Sequence, residues 1–151
     1  MTPDQIIAAH AKRLALELDP GSWPAAAHLI ELLLRANDAA AARDMVGLVA
    51  QLHPDRPEVL NWALQCVPRA YRDVEEIALV RTRFREDLAR FAERIPSLSP
   101  PARARLALDI EERSNFYVHY QGLLEVEDQR TYGGAVAALV THYEAEGRLV
   151  L

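Results

Sequence analysis

Apolar and polar positions alternate at helical spacing over most of this chain. Between residues 23 and 52, small and apolar side chains return every three or four positions, as in helices that bury one face. Asn37 and Asp38 interrupt the pattern and supply short polar side chains for a turn and an N-cap. Ser22 is the expected cap of the preceding helix, which begins at Trp23. The pattern therefore predicts two helices joined by a tight turn.

The same region carries a repeat. Pro20 of Leu-Asp-Pro and Pro54 of Leu-His-Pro lie 34 positions apart, which is the period of the tetratricopeptide repeat, a helix-turn-helix unit. With the repeat starting at Trp23, its small or apolar sites are all suitably filled, by Ala26, Leu29, Ile30, Leu33, Ala42, Val46 and Val49. Residues 1–67 are therefore expected to form tetratricopeptide-like antiparallel helix pairs, a fragment of an α-solenoid.

The period does not persist beyond residue 67. Pro68 ends a helix, and a longer one is expected to begin near Arg72 or Asp73. Its apolar face should comprise Val74, Ile77, Val80 or Arg81, Phe84, Leu88, Phe91 and Ile95. Its opposite face has both signs of charge at spacings of three and four, which predicts a solvated face. That face comprises Glu75, Glu76, Arg83, Arg85, Glu86, Asp87, Arg90, Glu93 and Arg94.

The last third of the chain predicts two further helices. A proline-rich linker at 96–101 precedes a helix over 102–113 that should bury Leu106 and Ile110. A final helix opens at Glu127-Asp128, with apolar positions at Tyr132, Val136, Leu139, Val140 and Tyr143. No strand is predicted. Residues 68–151 are thus a longer helix and a C-terminal helical cap, continuous with residues 1–67 in one all-α domain.

Charge and length narrow the class of protein. The 151 residues suit one domain with a real core, and the net charge of −5 does not favour nucleic acid as a partner. No apolar run approaches the roughly 18 residues of a membrane span, and no signal region is evident. Cys66, the single cysteine, lies in an apolar run and is expected to be a buried, inert thiol. These features predict a cytoplasmic protein with no membrane partner.

The residue types that perform catalysis do not converge on a recognisable motif. No two of the five histidines are spaced as metal ligands, and the serines lie at caps or in linkers. Gly133-Gly134 lies inside a helical pattern, which favours close helix packing over a phosphate site. The acids Glu111, Glu112, Glu125, Glu127 and Asp128 are expected on solvated faces. The sequence therefore predicts no catalytic residue, no cofactor and no metal.

One aromatic segment stands apart. Residues 115–122 read Asn-Phe-Tyr-Val-His-Tyr-Gln-Gly, and three of the chain's ten aromatic residues fall within 116–120. Such a cluster is either buried against the last helices, chiefly through Phe116 and Tyr120, or docked onto a partner. RNA stacking is a third reading, which the acidic flanks oppose. The candidate protein interface comprises Asn115, Tyr117, His119, Tyr120 and Gln121.

The combination of these features resembles a known family. Tetratricopeptide-like helices are followed by Pro-Arg-Ala-Tyr at 68–71, Val-Glu-Glu-Ile at 74–77, and the 115–122 run with Tyr132 after it. This is similar to the region between the repeats and the catalytic domain of bacterial SPINDLY-like, O-linked N-acetylglucosamine-transferase-type glycosyltransferases, in which a run similar to NFYLAYQG occurs. The resemblance covers roughly residues 60–135. The Rossmann-like halves of those enzymes have no counterpart in these 151 residues, so none of their catalytic residues can be assigned here.

Two functions follow as expectations. The first is a non-catalytic adaptor or accessory domain whose repeat face binds a protein, with the 115–122 segment docking on a catalytic partner or on a second copy. The second, implied by the resemblance, is the N-terminal fragment or split half of a protein O-glycosyltransferase. Such a half would bind the acceptor protein and need a separate catalytic domain.

Overall fold

The computed structural model describes residues 3–113 and 126–145. Within them the chain forms seven α-helices and one 3-10 turn, with no strand, so the all-helical prediction is confirmed. The helices are α1 Pro3–Leu18, α2 Trp23–Arg35, α3 Ala39–Leu52, α4 Glu58–Gln65, α5 Val74–Arg94, α6 Pro100–Glu112 and α7 Val126–Ala145, and the 3-10 turn is Ile95–Ser97. None of these helices is long and apolar enough to cross a bilayer.

Polar residues are expected at the starts of three helices, α2, α3 and α5, and at two of them the side chain caps the helix. Asp38 accepts a hydrogen bond from the Ala41 N–H at 3.1 Å and caps α3, as predicted. Asp73 accepts from the Glu76 N–H at 2.7 Å and caps α5. Ser22 occupies the N-cap position of α2, but its side chain makes no capping bond, so that prediction is wrong. The Ser22 carbonyl still accepts from the Ala26 N–H, so α2 begins at Trp23 with an uncapped first turn.

The first half of the chain builds one apolar core. All seven small or apolar sites assigned to the repeat are buried, and Trp62 of α4 joins them. The alanines at 26 and 42 are almost fully enclosed, which lets α2 and α3 approach closely. Helix α2 packs between α1 and α3, and α3 continues the row to α4. The 3.6-residue period thus predicted this core correctly, because one face of each helix is covered by its chain neighbours.

A second core lies among the later helices. It contains Leu64 of α4, Phe84, Leu88 and Phe91 of α5, Leu106 of α6 and Leu139 of α7. Helix α4 packs on α5 and α6, while α7 packs on α5 and α6. Val74 is predicted to lie on the apolar face of α5, but it is 74% exposed because it begins the helix before the helix reaches the core. Of the two alternatives at 80 and 81, Arg81 is the more deeply buried.

The charged face of α5 is not solvated throughout. Asp87, predicted to face solvent, is 4% exposed and forms ion pairs with Arg43 of α3 and, at 3.1 Å, with Arg90. Asp128, also expected on a solvated face, is buried and accepts from the Arg85 Nε at 2.9 Å, with Arg81 Nη2 at 3.4 Å. Both predictions fail for one reason: an arginine on a neighbouring helix compensates the buried carboxylate.

Candidate functional site

A cleft in the described part of the chain is lined by residues of α2, α4 and α6 and of the segments that follow α4 and α6. Its volume is about 410 Å³, within the range of ligand sites in proteins. It is lined by Glu31, Leu34, Arg35, Gln65, Val67, Arg69, Glu112 and Arg113. Each of these residues belongs to the C-terminal half of α2, α4 or α6, or to the segment that follows α4 or α6. We call this surface the junction cleft.

An asparagine in the α2–α3 turn holds one wall of the junction cleft. Asn37 has a φ of 63°, a left-handed conformation that asparagine adopts more readily than most residues. Its Oδ1 accepts from the backbone N–H groups of Arg69 at 2.6 Å and Ala70 at 3.3 Å, and its Nδ2 donates to the Ala70 carbonyl at 3.1 Å. These bonds tie the segment after α4 to the turn before α3, so the position of Arg69 is set by contacts far away in sequence.

A buried polar network between α4 and α6 adjoins the junction cleft through Arg113. Asp109 accepts from the Trp62 Nε1 and from the Asn61 Nδ2, each at 2.8 Å. Arg113, which directly follows α6, brings its Nε to 3.2 Å from the same carboxylate. Burial raises the pKa of Asp109 above its ordinary value, and the bonds from Asn61 and Trp62 oppose that shift only in part. The Asp109 carboxylate therefore joins α4 to α6, two helices that are not adjacent in sequence.

The two tryptophans extend this network toward α2. The Trp23 and Trp62 rings are stacked with their centroids 4.5 Å apart. The Arg56 guanidinium lies over Trp23 at 4.7 Å, and the Arg113 guanidinium lies 5.5 Å from the Trp62 ring centroid. His53, in the turn after α3, packs edge-on against Trp23. A cation–π–π–cation row therefore runs from Arg56 through the two tryptophans to Arg113 and joins α2 to α4.

The polar groups around the cleft are partly paired among themselves. Arg35 forms an ion pair with Glu31 one turn earlier in α2. The Gln65 Nε2 is buried and has no hydrogen-bond partner in the described part of the chain. The Arg113 Nε is also buried, and its 3.2 Å contact with Asp109 does not have the geometry of a hydrogen bond. With Leu34 and Val67 supplying apolar surface, the cleft can take a polar extended segment of a partner. It presents no nucleophile next to a base.

The five residues predicted as the interface, Asn115, Tyr117, His119, Tyr120 and Gln121, lie outside the described residues, as does Phe116. Arg113, which lines the cleft, is the last described residue before them. Sequence reasoning missed the cleft itself. Its residues belong to three helices, and the sequence pattern of each helix shows only which of its faces is apolar. No local pattern shows which polar residues of different helices lie together in the fold.

The other predicted sites have mixed outcomes. Cys66 is buried as expected, and burial raises the pKa of its thiol to about 12. The prediction of close helix packing at Gly133 and Gly134 is wrong for the described residues, because a Cβ at either position would meet no neighbouring atom within 4 Å. Over residues 3–113 and 126–145, no three His, Cys, Asp or Glu side chains are grouped to hold a metal ion.

Comparison with known proteins adds no relative. No protein-family model, curated protein or solved structure matches this chain.

Proposed function

We propose that this chain is a helical interaction domain that binds a protein partner in the junction cleft and performs no catalysis itself. The observation that carries the proposal is the cleft's construction from three helices that are not adjacent in sequence, α2, α4 and α6. A surface of this kind exists only when the helices are stacked, and stacked helices offer extended sites for partners.

The helix contacts support a tetratricopeptide-like α-solenoid reading. Helix α2 packs with α3, α4 with α5, and α6 with α7, while α4 contacts α6 and α5 contacts α7. In this reading α2, α4 and α6 form one layer and α3, α5 and α7 the other. The 34-residue period is lost after residue 67, yet consecutive helices still pack in pairs, α4 with α5 and α6 with α7. The junction cleft then lies on the layer of α2, α4 and α6.

We infer a cytoplasmic protein partner rather than nucleic acid. The chain carries a net charge of −5, and two acids and three arginines line the cleft. A mixed rim of this kind favours a polar peptide segment over a phosphate backbone, which calls for a positive surface. Candidate partners are a glycosyltransferase catalytic domain, its acceptor protein, or a second copy of the chain. The first two rest on the resemblance of residues 60–135 to SPINDLY-like enzymes.

A pair of charge-swapped variants tests the cleft. Arg35→Glu with Glu112→Arg reverses two rim charges and leaves the net charge unchanged. Arg13→Glu with Glu17→Arg is the matched control, because both residues are exposed on α1. Affinity capture with quantitative mass spectrometry, together with size-exclusion chromatography and light scattering, should show a protein partner or self-association that the first variant loses and the second keeps. Equal retention in both variants, with unchanged circular dichroism, would contradict the proposal.

A second pair of changes separates the aromatic segment from the cleft. Tyr117→Ala with Tyr120→Ala should abolish association and leave the helical content intact if these residues contact the partner. Loss of the fold would instead assign them to the core. The split-enzyme alternative makes a distinct prediction: a neighbouring reading frame should encode a glycosyltransferase domain, and only the mixture of both chains should transfer sugar to an acceptor protein.

A further inference from the structure

A second cleft lies at the other end of α4 and α6. It is formed by the α3–α4 loop, the end of α5 and the first turn of α6, and its volume is about 370 Å³. Its apolar lining includes Val59, Leu60 and Leu98. None of its lining residues belongs to the junction cleft. We call it the arginine cleft, because three arginines lie around it.

The three arginines are Arg56, Arg94 and Arg105. Arg56 lies over the Trp23 ring and brings Nη1 to 3.5 Å from Glu58, which fixes the plane of its guanidinium. Arg105 brings Nε to 3.4 Å from the same Glu58 oxygen and donates from Nη2 to the Asp55 carbonyl at 2.9 Å. Existing contacts thus orient two guanidinium groups, while each retains further N–H donors.

Arg94 differs from the other two. It is exposed in the last turn of α5, and within residues 3–113 and 126–145 it has no ion pair and no side-chain hydrogen bond. Asp55 is the one acidic lining residue of the arginine cleft, and the buried Glu58 carboxylate is shared by two of the arginines. Three arginines therefore line the cleft with one carboxylate, in a chain whose net charge is −5.

A serine hydroxyl adds a further donor. Ser97 and Ser99 both line the arginine cleft. The Ser97 Oγ already donates to the Arg94 carbonyl at 2.8 Å, whereas the Ser99 side chain makes no capping bond to α6. The first turn of α6 adds little itself, since residues 100 and 101 are prolines without N–H groups. The recognition chemistry therefore rests on guanidinium forks and the Ser99 hydroxyl, a combination that matches the three oxygens and double charge of a phosphate better than a carboxylate.

We propose that the arginine cleft binds a phosphate group, with Arg94 as its free charged contact and Arg56 and Arg105 as pre-oriented donors. Two sources share this chemistry: inorganic phosphate and a phosphorylated serine of a protein. The apolar lining beside the arginines suits the second, because a phosphoserine brings a backbone with it. This site does not depend on the partner of the junction cleft.

Tryptophan fluorescence gives a direct readout, because Arg56 stacks on Trp23 and the chain has only two tryptophans. The probes are N-acetyl-phosphoserine amide, inorganic phosphate and N-acetyl-aspartate amide, titrated at low ionic strength with calorimetry alongside. We expect saturable phosphoserine binding with a Kd on the order of 1 mM or tighter, as for a small ligand held by a few charge-assisted bonds.

Arg94→Gln should weaken this binding by about tenfold or more, the effect of losing one hydrogen bond between charged groups. Arg83→Gln is the matched control, since Arg83 is exposed on the same helix and lines neither this cleft nor the junction cleft. Thermal unfolding checks that both variants keep the fold. Binding of inorganic phosphate but not of phosphoserine would support the site and assign it to free phosphate. The proposal is overturned by three results: no saturable binding of either phosphate probe, equal loss in the two variants, or aspartate binding as tight as phosphoserine.

Discussion

Trp62 and Asp109 are joined by a buried hydrogen bond in which the indole Nε1 donates to Oδ1 at 2.8 Å. The two residues lie 47 positions apart, on α4 and α6, and neither is fully satisfied without the other. Asn61 adds a second bond to the same carboxylate. Burying a carboxylate costs desolvation free energy, but hydrogen bonds from two donors on α4 fix its orientation. The Trp62–Asp109 bond therefore determines where α6 lies on α4.

Removing that carboxylate should destabilise the fold. Asp109→Ala leaves the Asn61 and Trp62 donors buried without an acceptor, and we expect a loss of about 3 kcal/mol in the free energy of unfolding. Urea denaturation followed by circular dichroism measures it. Glu111→Ala, an exposed change on the same helix, should stay within about 0.5 kcal/mol of the parent. Equal stability of the two variants would show that the network does not hold α6.

The same residue should make stability depend on pH. The pKa of Asp109 is raised above its ordinary value of 3.8 in the folded state, so the folded protein binds a proton more tightly than the unfolded chain does. Its contribution to the free energy of unfolding is therefore fully present below pH 3.8. It falls as the pH rises through the folded-state pKa, and is constant above it.

The difference in unfolding free energy between the parent and Asp109→Asn isolates this term, because asparagine does not titrate. That difference should decrease from pH 4 upward and then level off. A difference that grows with pH would mean that the bonds from Asn61 and Trp62 outweigh burial.

Asn37 offers a test of backbone conformation. Both Asn37→Gly and Asn37→Ala lose the three bonds to residues 69 and 70. Alanine must in addition adopt a φ of 63°, which costs roughly 1 kcal/mol more than glycine pays. Thermal unfolding should therefore rank the parent above Asn37→Gly and Asn37→Ala last. Alanine and glycine variants of equal stability would show that the turn relaxes out of the left-handed conformation.

Cys66 should be unreactive in the folded protein. Its side chain is buried, its Sγ donates to the Trp62 carbonyl at 3.3 Å, and burial raises the pKa of the thiol to about 12. Very little thiolate exists at pH 8, and the thiolate is the reactive form. Labelling with a disulfide reagent should proceed only as fast as the chain unfolds, and should become rapid in denaturant. Fast labelling under native conditions would contradict this assignment.

Much of the helix pattern could be predicted from the sequence. The apolar spacing of residues 23–52 correctly identified the buried sites of α2 and α3, and Asp38 and Asp73 were correct as caps or helix starts. These features depend on neighbours three or four positions away, which a sequence displays directly. Ser22 failed as a cap because a suitable residue type does not ensure the side-chain geometry of the bond.

The charged and cleft residues could not be predicted in the same way. Asp87, Asp109 and Asp128 are buried only because an arginine, an asparagine or a tryptophan on another helix reaches them. Whether a polar residue in a helical pattern faces water or a distant partner is settled by packing across the core. The same limit applies to Arg94, which the pattern assigned to a solvated face without any sign of the arginine cleft.

The sequence by itself determined that the chain is helical, which faces of α2 and α3 are apolar, and that Cys66 lies in an apolar environment. The physical reason is that helical periodicity and apolar burial act over one or two turns of chain. Only the tertiary structure decided that α2, α4 and α6 share a cleft, that Asp109 joins two of them, and that three arginines surround a second cleft. Those relationships join side chains that are tens of residues apart, and they exist only once the helices are packed.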